Sequence, residues 1–116
     1  MTAEDWIEGY KKAWESNAPD DIRALFTDDA RYLTSPTSEW REGIDAIIEG
    51  WIADQDQPGD YTFEYSVLED SGTFAAVRGV TDYTGADRPV YDNLWLIRFA
   101  PDGRATEFTE FYKERD

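Results

Sequence analysis

The chain contains no cysteine and no histidine among its 116 residues. Without cysteine there is no disulfide framework and no thiolate metal site. Without histidine the commonest metal ligand and the commonest general base are both missing. Ser-His-Asp and Cys-His mechanisms are therefore excluded, and a zinc site would need carboxylates alone. Neither a metal nor a cofactor is expected. Basic residues are scarce as well: 11 Lys and Arg stand against 26 Asp and Glu, a net charge of −15. A nucleic-acid binder needs a basic footprint, and the same negative field disfavours an anionic membrane surface. No stretch approaches the ~20 apolar residues of a membrane span. The opening M-T-A-E-D-W is acidic and lacks the apolar run of a signal peptide. The reading is a cytoplasmic protein.

What is present is aromatic. Phe, Trp and Tyr make up 16% of the chain and hydrophobic residues 41%, enough for one core in a single domain over 1–116. Thr2 and Asp5 form a capping-box pattern ahead of Trp6, Ile7, Tyr10, Ala13 and Trp14, which follow helical spacing. This predicts a helix over 3–16. Pro19 opens a second, short helix with Ile22, Leu25 and Phe26 as its buried stripe, ending near Thr27. Asp28-Asp29 reads as a turn, Ala30 to Thr34 as a strand and Ser35 to Ser38 as a loop. Ile44, Ile47, Ile48 and Trp51 mark a third helix. Asp54 to Asp60 read as turn and solvated positions without the spacing of a calcium loop. Four strands follow, over Tyr61–Glu69, Phe74–Tyr83, Val90–Phe99 and Ala105–Tyr112. The order predicts an α+β fold with three N-terminal helices on a mainly antiparallel sheet.

The strand Val90 to Phe99 is central, with large apolar groups on both faces. The Asp102-Gly103 turn sets Trp95 opposite Glu110, Asn93 opposite Tyr112 and Ile97 opposite Phe108. The Gly85 loop suggests Arg78 opposite Trp95, Val80 opposite Asn93 and Asp82 opposite Tyr91. Opposed residues share a face, so one face carries Arg78, Trp95, Glu110, Asn93, Tyr112, Asp82 and Tyr91. That mixture of rings and polar groups suits a lined pocket. The other face offers Val77, Leu94, Leu96 and Phe111, with Tyr83 nearby, a large apolar area for an exposed sheet. A homodimer across it is the economical answer.

The helix pair from Tyr10 to Ile22, the phrase A-L-F-T-D-D-A-R-Y-L-T-S-P, the Trp40-to-Gly43 entry into the third helix and the hairpin Y-D-N-L-W-L-I-R-F-A-P-D-G-R together resemble the nuclear-transport-factor-2-like superfamily. That superfamily includes SnoaL-like polyketide cyclases and ketosteroid isomerase. The resemblance implies a cone, with the helices packed on the concave face of a curved sheet around a cavity. It also implies dimerisation through the convex sheet face. Of the isomerase's catalytic groups, its helix-1 tyrosine matches Tyr10, twelve residues before Ile22. The place of its general-base aspartate is Ser35, before Pro36, and the place of its second aspartate is Trp95, four residues before Phe99. The resemblance therefore implies that this is not a true ketosteroid isomerase. SnoaL-like cyclases use a cavity carboxylate without cofactor. The candidates for that role are Glu110 and Asp82, with Tyr10 as hydrogen-bond donor and Trp14, Arg78, Tyr91, Asn93, Trp95 and Tyr112 as ligand-binding residues. Two functions stay open. One is a cofactor-free isomerase, cyclase or hydrolase acting on a small hydrophobic molecule. The other is a non-catalytic binding or dimerisation module whose cavity holds a ligand or is filled by its own tryptophans, with Trp95 plugging the cone and Glu110 locked on Arg78.

Overall fold

The computed structural model describes residues 2–35 and 37–115. Helix α1 spans Ala3–Ser16. Its capping box is formed: Asp5 N–H donates to Thr2 Oγ1 at 3.2 Å, and Thr2 N–H donates to Asp5 Oδ2 at 2.9 Å. Both satisfy backbone donors that the first turn leaves free. Asn17 ends the helix in the left-handed region, at φ 52°, with its N–H on Ala13 O. The buried face of α1 is Trp6, Ile7, Tyr10 and Ala13.

Helix α2 is only Pro19–Arg23. Its predicted stripe is shorter than expected, because Phe26 already belongs to strand β1 (Phe26–Leu33). Asp28 and Asp29 lie within that strand and are exposed. The pairing between β1 and the last strand slips between Phe26 and Arg31. This bulge lets both aspartates face solvent without ending the strand. A four-residue edge strand, β2 (Glu39–Glu42), pairs antiparallel with β1. Its alternation is too short to read from sequence. The loop expected before it includes Pro36, which lies outside the described residues. Helix α3 covers Ile44–Ala53. It starts at Gly43, whose φ of 87° suits glycine.

Strands β3 (Thr62–Asp70), β4 (Phe74–Asp82), β5 (Val90–Phe99) and β6 (Ala105–Glu114) complete a six-stranded sheet of order β2-β1-β6-β5-β4-β3. All neighbours are antiparallel except β1 and β6. The three helices pack on one face of this sheet, and the α+β class holds. Trp6, Tyr10, Phe26, Trp95 and Phe108 form the centre of the core between them. Among the described residues no helix is long and apolar enough to cross a membrane.

The β5–β6 register is as expected, with Trp95 opposite Glu110 and Asn93 opposite Tyr112. The β4–β5 register differs by one residue. Val77 faces Trp95, Arg78 faces Leu94, Thr81 faces Tyr91 and Asp82 faces Val90. The loop is closed by Tyr83 N–H on Pro89 O and Arg88 N–H on Tyr83 O, with a short 3₁₀ turn at Thr84–Ala86. A one-residue slip exchanges the faces of a strand. Arg78 and Asp82 therefore lie on the outer face, away from the helices. Val77 lies on the inner one and is only 1% exposed. Tyr83, expected near the outer patch, is buried on the inner side for the same reason.

Candidate functional site in an aromatic cavity

A cavity of about 330 Å³ opens between the helices and the inner sheet face. Helix α1 brings Tyr10 and Trp14 to it, one turn apart. Strand β1 contributes Tyr32, β2 Trp40 and α3 Trp51. The chain leaving α3 adds Asp54 and Asp56. Thr81, Tyr83, Arg88, Tyr91, Asn93, Glu110 and Tyr112 line the sheet side.

Glu110 is the carboxyl at the inner end. Its Oε2 accepts from Trp95 Nε1 at 2.9 Å, and its Oε1 accepts from the Tyr32 hydroxyl at 3.4 Å. The Tyr32 and Tyr10 hydroxyls lie 3.2 Å apart. No basic side chain forms an ion pair with Glu110 among the described residues. Burial raises its carboxyl above the ordinary range, and the charge of Asp56 pushes the same way. The bonds from Trp95 and Tyr32 oppose them. Burial and the Glu110 charge also push the Tyr10 and Tyr32 phenols well up. Both therefore stay neutral donors at ordinary pH.

Trp95 itself is 1% exposed and does not line the cavity. Its ring is stacked on Phe63 at 4.8 Å and sits 4.6 Å from the Tyr10 ring. It was expected among the ligand-binding residues. It lies instead beneath the cavity and reaches it only through its bond to Glu110. Phe63 can lie this close because β4 has glycine beside it. A Cβ at Gly79 would stand 2.6 Å from the Phe63 ring.

A second polar cluster centres on Asp56. Its carboxylate accepts from Trp14 Nε1 at 3.0 Å, the Tyr83 hydroxyl at 2.8 Å and Arg88 at 3.3 Å. Its carbonyl accepts from the Asn17 amide, whose oxygen in turn accepts from Trp51 Nε1. The Arg88 guanidinium also lies 4.1 Å from the Tyr83 ring centre. Asp56 is thus a fixed part of the wall, where a solvated turn was expected.

Of the expected site residues, the structure brings together Glu110, Tyr10, Trp14, Tyr91, Asn93 and Tyr112. Asn93 Oδ1 accepts from Thr81 Oγ1 at 2.7 Å, and Tyr112 stands at the rim, 59% exposed. Arg78 and Asp82 are excluded by the register. Asp82 caps the loop after β4, accepting from Thr84 N–H and Oγ1. Ser35, at the place of the isomerase base, accepts from the Thr37 and Ser38 amides and does not line the cavity. Sequence reasoning missed Tyr32, Trp40, Asp56, Tyr83 and Arg88 as site residues. Alternation from Ala30 through Tyr32 was a usable signal for one of them. Asp56 and Arg88 sit in loops and carried none. Among the described residues no group of three or more carboxylates is arranged to hold a metal ion.

A curved sheet wrapped by three helices around an aromatic cavity defines a cone-shaped α+β protein of the nuclear-transport-factor-2-like kind. The model of the SnoaL-like domain matches residues 5–108, and the chain belongs to that family. Solved structures share the fold at low identity. An NTF-2-like protein from Burkholderia xenovorans is 14% identical at TM-score 0.76, over 97% of this chain and 84% of that one. A ketosteroid isomerase-like protein from Erwinia carotovora is 19% identical at TM-score 0.65, over 94% and 92%. An LEH-like epoxide hydrolase from M. tuberculosis is 18% identical at TM-score 0.66, over 94% and 76%. No curated protein matches by sequence.

Proposed function

We propose that this SnoaL-like domain is a cofactor-independent acid/base catalyst acting on a small, largely apolar carbonyl compound held in the cavity. The observation that carries this reading is Glu110: a carboxyl in an aromatic cavity, without a basic partner among the described residues, with its proton affinity raised by burial. Such a group takes a proton from carbon beside a carbonyl and returns it elsewhere, the core step of isomerisation and of aldol-type cyclisation. Tyr32, turning its one O–H from the 3.4 Å contact with Glu110 to the substrate, donates to the oxygen on which charge develops, and Tyr10 donates to Tyr32 in turn. The relatives named as isomerase-like and epoxide hydrolase-like are consistent with chemistry in such a cone and do not choose the reaction. A module with a filled cone is disfavoured. The tryptophan expected to plug the cavity lies beneath it, and the Arg78 expected to lock Glu110 is on the other side of the sheet.

The test is hydrogen–deuterium exchange at the α-carbons of small enolisable ketones in D₂O, followed by proton NMR. The protein accelerates exchange, and Glu110→Gln lowers the rate by roughly two to four orders of magnitude. Exchange that this substitution leaves unchanged, or no exchange above buffer for any ketone, overturns the reading.

The homodimer belongs to the same proposal, with Leu94, Leu96 and Phe111 at its centre and without Val77. The outer face mixes Arg78, Arg98 and Lys113 with Glu64, Asp92 and Glu107. Two such faces can meet without the repulsion that the rest of a −15 chain imposes.

A further inference from the structure

The geometry points to an organic cation as the occupant of the cavity: a carbonyl compound whose compact apolar body carries a protonated amine head. This deepens the proposed function and rests on its reading of the cavity as a small-molecule site.

Three observations lead there. The first is the wall itself. Trp14, Tyr32, Trp40, Trp51, Tyr83 and Tyr91 all line one space of about 330 Å³. Aromatic faces carry negative quadrupole and attract cations, most strongly where water is excluded. One cation already uses this wall: the Arg88 guanidinium lies 4.1 Å from the Tyr83 ring centre.

The second is the balance of charge inside. Among the described residues, Asp54, Asp56 and Glu110 line the cavity against the single guanidinium of Arg88. Arg88 is committed to Asp56, at 3.3 Å. Glu110 accepts one bond at each oxygen, from Trp95 and from Tyr32. An ionised carboxylate has about four acceptor positions, so two remain for a ligand N–H. Among the described residues lining the cavity, an anionic ligand finds no positive group that is not already paired.

The third is the field outside. A chain of net charge −15 raises the local concentration of cations and lowers that of anions at any opening. This favours arrival but does not confer selectivity, because about 0.15 M salt screens it beyond about 8 Å. Selectivity must come from the rings and Glu110.

The experiment is calorimetric titration of the whole chain with three probes of matched body: 2-phenylethylammonium, 2-phenylethanol and phenylacetate. It is run at about 0.15 M and about 0.5 M NaCl. The cation binds one to one and roughly tenfold more tightly than the alcohol. Phenylacetate binds most weakly, and the order survives at high salt. Glu110→Gln closes most of the gap between cation and alcohol. If the alcohol binds as well as the cation, the inference fails while the cavity keeps its role as a small-molecule site. If phenylacetate binds best, the inference fails in the same way. A preference that vanishes at high salt reduces it to surface attraction and overturns it. If no probe binds at either salt concentration, both the inference and the reading beneath it fall.

Discussion

At the scale of single residues, Glu110 couples the cavity to stability. Its carboxyl ordinarily titrates near 4.5 and is raised in the folded protein. The folded state therefore holds this proton more firmly than the unfolded state. The associated stability is fully present below 4.5 and is lost as pH rises through the folded value. Glu110→Gln removes that dependence. Denaturant melts of both proteins from pH 4 upward show wild type losing ground to the variant once the pH passes 4.5. Parallel curves count against a buried, desolvated Glu110. Tyr32 acts on the same group. Its hydroxyl favours the ionised carboxylate and is the partner of Tyr10. Tyr32→Phe raises the Glu110 pKa further, read by carbon-13 NMR titration of its carboxyl. It also costs about 1 kcal/mol, because the buried Tyr10 hydroxyl loses its partner.

At the scale of elements, the β4–β5 hairpin decides what the cavity contains. The Asp102-Gly103 turn is short and its register was readable from sequence, so Trp95–Glu110 and Asn93–Tyr112 were legible. The Thr84–Arg88 loop folds through a 3₁₀ turn and a left-handed Asp87, at φ 60°. Its length alone did not give the register to one residue. That single step carried Arg78, Asp82, Val77 and Tyr83 to the wrong faces together. The helices fared better, because their spacing and caps are local. The parallel β1–β6 pairing and the Asp56 cluster join segments far apart in sequence, and no local pattern announces either. Gly79 offers the sharpest element-scale test. Gly79→Ala forces a methyl against the Phe63 ring, 2.6 Å away, and against the Glu64 carbonyl at 3.1 Å. It destabilises by about 1–3 kcal/mol, measured by denaturant unfolding. A smaller change means that Phe63 has room to move. At the N-terminus of α1, Thr2→Ala breaks the capping box and costs about 1 kcal/mol, read in the same experiment.

At the scale of the whole molecule, the sheet separates two chemistries. Its inner face carries the rings and the Glu110 carboxyl. Its outer face mixes Leu94, Leu96 and Phe111 with paired charges. Sedimentation at micromolar concentration tests the proposed dimer. The expected species is two chains, and Leu94→Glu, at a position 38% exposed, returns it to one. A wild-type monomer removes the dimer from the proposal and leaves the cavity chemistry standing. The order of the strands has a further consequence. Strand β6 is inserted between β1 and β5, so it is both the latest of the six to be synthesised and the one that joins the two halves of the sheet. Until it docks, Trp6 and Phe26 lack the Phe108 ring against which they pack. Contacts of such long sequence separation are slow to form. The strand that ends this wait is also the one that carries Glu110. The event that completes the core therefore also sets Glu110 beside Trp95 and Tyr32.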